Sequence, residues 1–305
     1  MNYTEEFRLD YYTNCLYSQN PKKEDIIITN EIKNFNWHKP YFYQGFESEP
    51  PENFPHKHGK FKEGWWWGIN CGYPLKIPCI TINADGYDNL GYPSLQKVRK
   101  TNLHKNSILL PLEYHRHWIA YEKIYKKNFN WDTKKNDVIY RGINTGIEEK
   151  ARKKFVEKYI HKYNVALTMN PNFHQNPQYP ELSKESMSME DMCQYKYIVS
   201  IEGNDKDSGI NWKLASNSVV LMRRPKFESW LMEGLLVPFY HYVPLNDEFT
   251  DFEEKLEWCK NHPNECKKIT ENAYQFMSTF SNPTVEFNIY QKIIDFYQKK
   301  YNFIV

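Results

Sequence analysis

The sequence predicts an α/β protein whose second half winds a parallel sheet between layers of helices. Three observations lead there. From about residue 135 onward, short β-branched segments alternate with amphipathic helical stretches, and strands separated by helices pair in parallel. Two of those strands end in glycine-bearing turns that run straight into the next helix. Hydrophobic residues make up 40% and aromatics 17% of 305 positions, which supplies a core and excludes disorder for most of the chain. The length fits one large domain or two medium ones.

Residues 1 to about 120 have a different texture, rich in Trp, Tyr, His and Pro with short apolar runs. In the second half, DVIYR at 137–141 is short, β-branched and closed by Gly142, which reads as a buried strand ending in a turn. A helix follows, with Ile147, Ala151, Phe155 and Tyr159 recurring every fourth residue. Further strands are expected at 165–168, 197–201, 218–222 and 241–244, with a helical stretch at 211–215. Asp251 is placed to cap a helix with Phe252, Leu256 and Cys259 on one face. Pro263 interrupts before another helix reaches about 280, and the segment 284–303 reads as a final helix with Ile289, Ile293, Phe296 and Tyr297 on one side. In such a doubly wound sheet, ligands bind at the carboxyl ends of the strands.

Lys plus Arg number 40 against 38 Asp plus Glu, a net charge of +2 with a pI near 8.0. That balance makes no basic field, so no nucleic-acid partner is expected. The six cysteines are scattered without a C-x-x-C pair, as in a protein of a reducing compartment. Residues 1–10 hold Glu5, Glu6 and Asp10 and no apolar run, unlike a signal peptide, and no stretch approaches the roughly 18 apolar residues of a membrane span. The expected location is the cytoplasm, with at most peripheral contact at the inner face of a membrane.

Four features can carry chemistry. The turn YRGINTG at 140–146 offers two glycines for close backbone approach and, with Arg141 and Arg152, positive charge beside a helix start. The alternative is an ordinary strand-to-helix turn, and the Lys-Ser/Thr pair of a P-loop is missing. The stretch IEGNDKDSG at 201–209 also follows an apolar strand, and its Asp205-Lys206-Asp207 has the D-x-D form of a carboxylate pair holding a divalent ion on a diphosphate. Two H-x-H pairs, His56 with His58 and His115 with His117, have the types for zinc but no third ligand at a recognised spacing. The run Trp65-Trp66-Trp67 suits a core, a stacked sugar or a membrane surface.

Together these stretches resemble glycosyltransferase family 90, which includes capsule-associated, lipopolysaccharide-modifying and Rumi-type O-glucosyltransferases. The resemblance is carried by YRGINTG at 140–146, KYIVSIEGND at 196–205, NWKLASNSVVLM at 211–222 and FESWLMEGLLVPFYHYVPLNDEFTDFEEKLEW at 227–258. A weaker stretch lies at 93–112. It covers about 85–303 and implies a GT-B-like fold: two Rossmann-like domains facing across a cleft, with the C-terminal helix crossing back. Residues 1–125 then form the acceptor-side domain and 126–305 the nucleotide-sugar-binding domain.

The resemblance further implies an inverting, metal-independent transfer of a glucose- or xylose-like sugar from a UDP-sugar to a glycan acceptor, lipopolysaccharide, capsule or a lipid-linked oligosaccharide. No cofactor beyond the donor and no metal is expected. Asp88, with Asp85 second, falls near the family's general base, while Arg141, Gly142, Thr145, Gly203, Ser208, Lys213, Ser218 and Glu228 fall at donor-binding positions. Two departures stand out. Gly209, Ile210 and Asn211 occupy a region where relatives carry a basic residue, which Lys213 or Lys206 would replace, and Leu235 stands where bacterial relatives often have Arg. Asn89 stands in the closest register for the base, with Asp88 one residue off. This displaced Asp together with the missing basic residue leaves open a catalytically silent glycan-binding protein, while Asp205 with Asp207 leaves open a metal-dependent transferase.

Overall fold

The computed structural model of the chain describes residues 3–14, 16–19, 22–28, 41–43, 79–82, 93–101, 106–110, 120–145, 150–168 and 179–304. They fall into two compact units, one within His117–Pro225 and Leu235–Ser281, the other within Tyr3–Arg116, Lys226–Gly234 and Asn282–Val305. The second unit thus takes in a short mid-chain segment and the C-terminal helix as well as the N-terminal residues.

The chain starts with helix α1 (Glu5–Tyr12), whose Thr4 side chain accepts from Phe7 N at 3.2 Å while Glu5 and Glu6 sit in the positive first turn. Short strands follow: β1 (Glu24–Ile27), β2 (Tyr41–Tyr43), β3 (Cys79–Ile82), β4 (Ser94–Gln96), β5 (Arg99–Lys100) and β6 (Ser107–Leu109). Four of them form a sheet in the order β2-β3-β4-β6, antiparallel at β2–β3 and parallel beyond.

The other unit runs through α2 (Ala120–Tyr125), β7 (Lys135–Ile143), α3 (Ala151–Tyr159), β8 (Asn164–Thr168), α4 (Met189–Met192), β9 (Tyr195–Ser200), α5 (Ile210–Leu214) and β10 (Val219–Arg223). After the excursion of β11 (Phe227–Glu228) into the second unit, it closes with β12 (Val243–Leu245), α6 (Phe252–Asn261) and α7 (Pro263–Ser278). Its five strands are all parallel in the order β12-β10-β9-β7-β8. The chain begins this sheet at β7, adds β8 on one side, then returns to add β9, β10 and β12 on the other. The order therefore reverses between β7 and β9.

Period-2 alternation decides which residue faces which helix layer. Val138, Tyr140, Val165, Leu167, Tyr197, Val199, Val219 and Leu221 pack on one face with Phe155 and Tyr159 of α3 and Phe252 and Leu256 of α6. Ile139 and Ile198, one residue out of phase, pack on the opposite face with Ile124, Met192 and Trp212. Each such aliphatic or aromatic side chain withdrawn from water is worth about 1.5–3 kcal/mol. Cys193, Cys259 and Cys266 are buried free thiols within these layers.

The expected strands and helices are present among the described residues, with differences at their ends; Ile147, expected to open the helix that spans Ala151–Tyr159, lies outside them. β7 extends past 137–141 at both ends because β8 and β9 supply ladder partners, from Lys135 opposite Tyr195 to Ile143 opposite Thr168. The carboxylate of Asp251 accepts from Asn246 N at 3.0 and 3.2 Å and makes no bond to the amides of α6. The last helix, α8 (Pro283–Lys300), stops short of 303, and Tyr301–Ile304 form β13, parallel to β1. In the same unit β11 pairs antiparallel with β5.

Candidate functional site

The order reversal makes the carboxyl ends of β7 and β9 the place to look for a ligand, because there the following connections leave toward opposite faces and open a crevice. Arg152, in the first turn of α3, ties those two ends together. Its Nε and Nη2 donate to Ile201 O at 3.1 and 3.0 Å, and its Nη1 donates to Ile143 O at 3.0 Å and Thr145 Oγ1 at 2.8 Å. Gly203 completes the clamp, since a Cβ there would lie 2.5 Å from Thr145 Oγ1 and 3.0 Å from Arg152 Nη2. Gly142 is likewise required sterically, because the buried Tyr140 hydroxyl lies against it. That hydroxyl has no hydrogen-bond partner, and burial holds its pKa above the ordinary phenol range.

Beneath the loop after β9 lies a second polar group. Asp207 Oδ2 accepts from Ser200 Oγ at 2.6 Å and pairs with Lys213 Nζ, while Oδ1 accepts from Gly209 N at 3.0 Å. Lys213 Nζ also donates to Val199 O at 3.2 Å. Burial pushes the Asp207 carboxyl up, but the charges of Lys213 and Arg152 and the Lys213 and Ser200 hydrogen bonds more than reverse this, leaving it below the usual carboxylate range. Arg152 and Lys213 bring two positive charges and Asp207 one negative, while Glu202, Asp205 and Lys206 of the same loop add two negative and one positive, so the group is balanced in formal charge.

Of the expected donor residues, the structure gathers Gly142, Thr145, Gly203, Ser208 and Lys213 at this end of the sheet. Three others stand elsewhere. The Arg141 guanidinium turns back along β7, donating to Tyr140 O at 2.8 Å, Asn164 O at 3.0 Å, Asn164 Oδ1 at 2.8 Å and Glu185 O at 3.2 Å. Ser218 precedes β10 at the amino ends of the strands, where its Oγ donates to Tyr195 O at 2.7 Å and accepts from Lys134 Nζ at 2.9 Å. A five- or six-residue strand, at about 3.3 Å per residue, separates it from Gly203. Burial lowers the Lys134 ammonium to about 8.

Glu228 belongs to the other unit and is fully buried. Its Oε1 accepts from Arg99 Nε at 2.7 Å and its Oε2 from the Tyr11 hydroxyl. Arg99 is held in turn by Asn14 Oδ1 at 2.6 Å, Tyr11 O at 2.9 Å and Ser107 O at 3.1 Å. These bonds fix β11 against β5 and α1. Asp88, Asp85, both H-x-H pairs and the Trp65–Trp67 run lie outside the described residues.

Arg152 was legible as a basic residue near the turn, but not as the clamp. The Asp207–Lys213 pair was disguised, Asp207 as half of a D-x-D motif and Lys213 as a diphosphate ligand. Among the described residues no three His, Cys, Asp or Glu side chains cluster to hold a metal ion, and no helix is long and apolar enough to cross a membrane.

The reversed five-strand order with a polar clamp at the reversal defines a doubly wound α/β protein of the kind that takes its ligand at the strands' carboxyl ends. Comparison with known proteins narrows this. Residues 115–304, well over half of the chain, match the family described as Glycosyl transferase family 90, and the chain belongs to that family. It is 34% identical over 195 residues to the O-glucosyltransferase LpsA of Dichelobacter nodosus, covering 64% of this chain and 58% of the relative. It is 30% identical over 174 residues to protein O-glucosyltransferase 2 of Danio rerio, covering 55% and 33%. To uncharacterized protein 179R of Invertebrate iridescent virus 6 it is 27% identical over 192 residues, covering 51% and 16%. The chain thus spans less than two thirds of the length of each of these relatives.

Proposed function

We propose that the protein is a glycosyltransferase that moves a glucose- or xylose-like sugar from a UDP-sugar to a glycan acceptor such as lipopolysaccharide or capsule, inverting the anomeric centre without a metal. The observation that carries this reading is the clamp of Arg152, Thr145 and Gly203 at the β7–β9 reversal in a chain of this family. The names of two relatives, both O-glucosyltransferases, support the sugar. In this reading the two units are the two domains of a GT-B enzyme, and the doubly wound unit holds the donor. Work at the inner face of a membrane, from the cytoplasm, fits a lipid-linked acceptor.

The chemistry is a single in-line displacement. An aspartate, Asp88 or else Asp85, takes the proton of the acceptor hydroxyl as its oxygen forms a bond to the anomeric carbon. The bond to the UDP oxygen breaks on the opposite face, and UDP leaves with the electron pair. The Arg152 guanidinium and the turn amides stabilise the departing diphosphate. The pairing of Asp207 with Lys213, Ser200 and Gly209 N favours this metal-independent route over one through Asp205 and Asp207.

The test is UDP release from a panel of UDP-sugars, with and without EDTA, by the wild type, Asp88→Asn and Asp85→Asn. The expected result is EDTA-resistant turnover of one sugar, reduced about 10²- to 10⁴-fold in one of the two variants. If no UDP-sugar is bound or turned over, the reading fails and a glycan-binding protein takes its place.

A further inference from the structure

We infer that Asp207 and Lys213 act as a positioning pair that sets the shape of the 201–209 loop, and that Lys213 does not itself hold the donor's diphosphate; this rests on the donor site proposed above. Gly209, Ile210 and Asn211 bring no cation to the start of α5, and Lys213 is among the donor-binding residues that the resemblance implies. Its geometry assigns it other work. The side chain is 4% exposed, and its ammonium is spent on Asp207 and on Val199 O, the strand that the loop leaves.

Asp207 reaches both ends of the loop. One oxygen takes the hydroxyl of Ser200, the last residue of β9, and the other takes the amide of Gly209, the last residue before α5. The carboxylate therefore closes the loop like a buckle, and Lys213 keeps that carboxylate charged inside the protein. A buried ion pair of this kind adds little net stability over an apolar pair, but losing one partner strands the other. What it supplies is a fixed geometry: Gly203, whose N donates to Asp205 O at 2.9 Å, stays against Thr145 and Arg152. With Lys213 paired to Asp207, Arg152 is the cation in the clamp against Thr145 and Gly203.

The two roles make opposite forecasts for Asp207→Asn. If Lys213 were a diphosphate ligand competing with Asp207, removing the carboxylate would free it, and UDP would bind as tightly or more tightly. As a positioning pair, Asp207→Asn and Lys213→Met each weaken UDP binding by about tenfold or more. The double variant is then no worse than the worse single one, because contacting partners couple rather than add. Calorimetric titration of UDP reads this directly, with thermal melting to check folding. Ser200→Ala, which removes only one bond to Asp207, provides a milder variant with a smaller loss in the same direction. Amide hydrogen exchange at Gly203 and Gly209 reads the loop without any nucleotide, and faster exchange is expected in all three single variants. Should the wild type bind no UDP, the donor reading fails while exchange still decides the pair. Unchanged exchange, or UDP binding that is retained in Asp207→Asn and lost in Lys213→Met, overturns the inference.

Discussion

Arg141 and Arg152 carry the same guanidinium on either side of one turn, and direction along the strand gives them different partners. Arg141 lies within β7, points back and satisfies carbonyls near the start of β8, whereas Arg152 lies beyond the turn and reaches the ends of β7 and β9. The sequence showed positive charge near a glycine turn. It did not show which arginine would face it, because that depends on how the guanidinium reaches along the neighbouring strand. Glu228 is a similar case: nothing in its own stretch shows the Arg99 and Tyr11 partners of its carboxylate, because they lie far away in sequence. His241 makes a prediction at this scale. It is 7% exposed, and its Nδ1 accepts from Val237 N at 2.9 Å. Burial lowers its pKa from 6.5 to about 4. Between those values the unfolded chain holds more protons than the folded one, so stability falls as pH drops from 6.5 to 4. Urea denaturation across that range is expected to show a shallower decline in His241→Gln, which keeps an acceptor and cannot charge; identical pH dependence in the two proteins would remove His241 as a contributor.

At the scale of elements, hydrophobic periodicity located the strands and helices of the doubly wound unit, because each faces an apolar layer with its own period. Their ends were less legible. The helical pattern through Ile289, Ile293 and Phe296 runs on toward Phe303 without a stop signal, and only pairing with β1 turns Tyr301–Ile304 into a strand. The join between the first and last helices was equally hidden. Arg8, 1% exposed, donates from α1 to Glu286 of α8 at 2.5 and 2.7 Å and to Tyr12 at 2.9 and 3.2 Å. Arg8→Met is expected to strand the Glu286 carboxylate and to cost about 3 kcal/mol in urea denaturation. Adding Glu286→Leu should recover much of that loss, since the second change removes the uncompensated charge. A double variant less stable than Arg8→Met would show that the pair is not the source of the cost.

At the scale of the whole molecule, the alternating pattern forecast the sheet, and the sheet order says where a ligand goes. The polar clamp is found at the reversal between β7 and β9. Residues that the resemblance assigned to the donor divided accordingly: those in turns after strands reach this end, while Ser218, placed before a strand, is carried to the other. That rule needs only strand direction, and it was available from the sequence once 218–222 was read as a strand parallel to 197–201. Whether a donor nucleotide is held at this reversal, as proposed, is read by calorimetric titration of UDP into the wild type and Gly203→Ala. The methyl group of the variant would crowd Thr145 Oγ1 at 2.5 Å and push against Arg152. Saturable binding by the wild type is expected, weakened about tenfold or more in a variant that still melts cooperatively. Equal affinity in the two proteins, or no binding by the wild type, would contradict the proposed donor site.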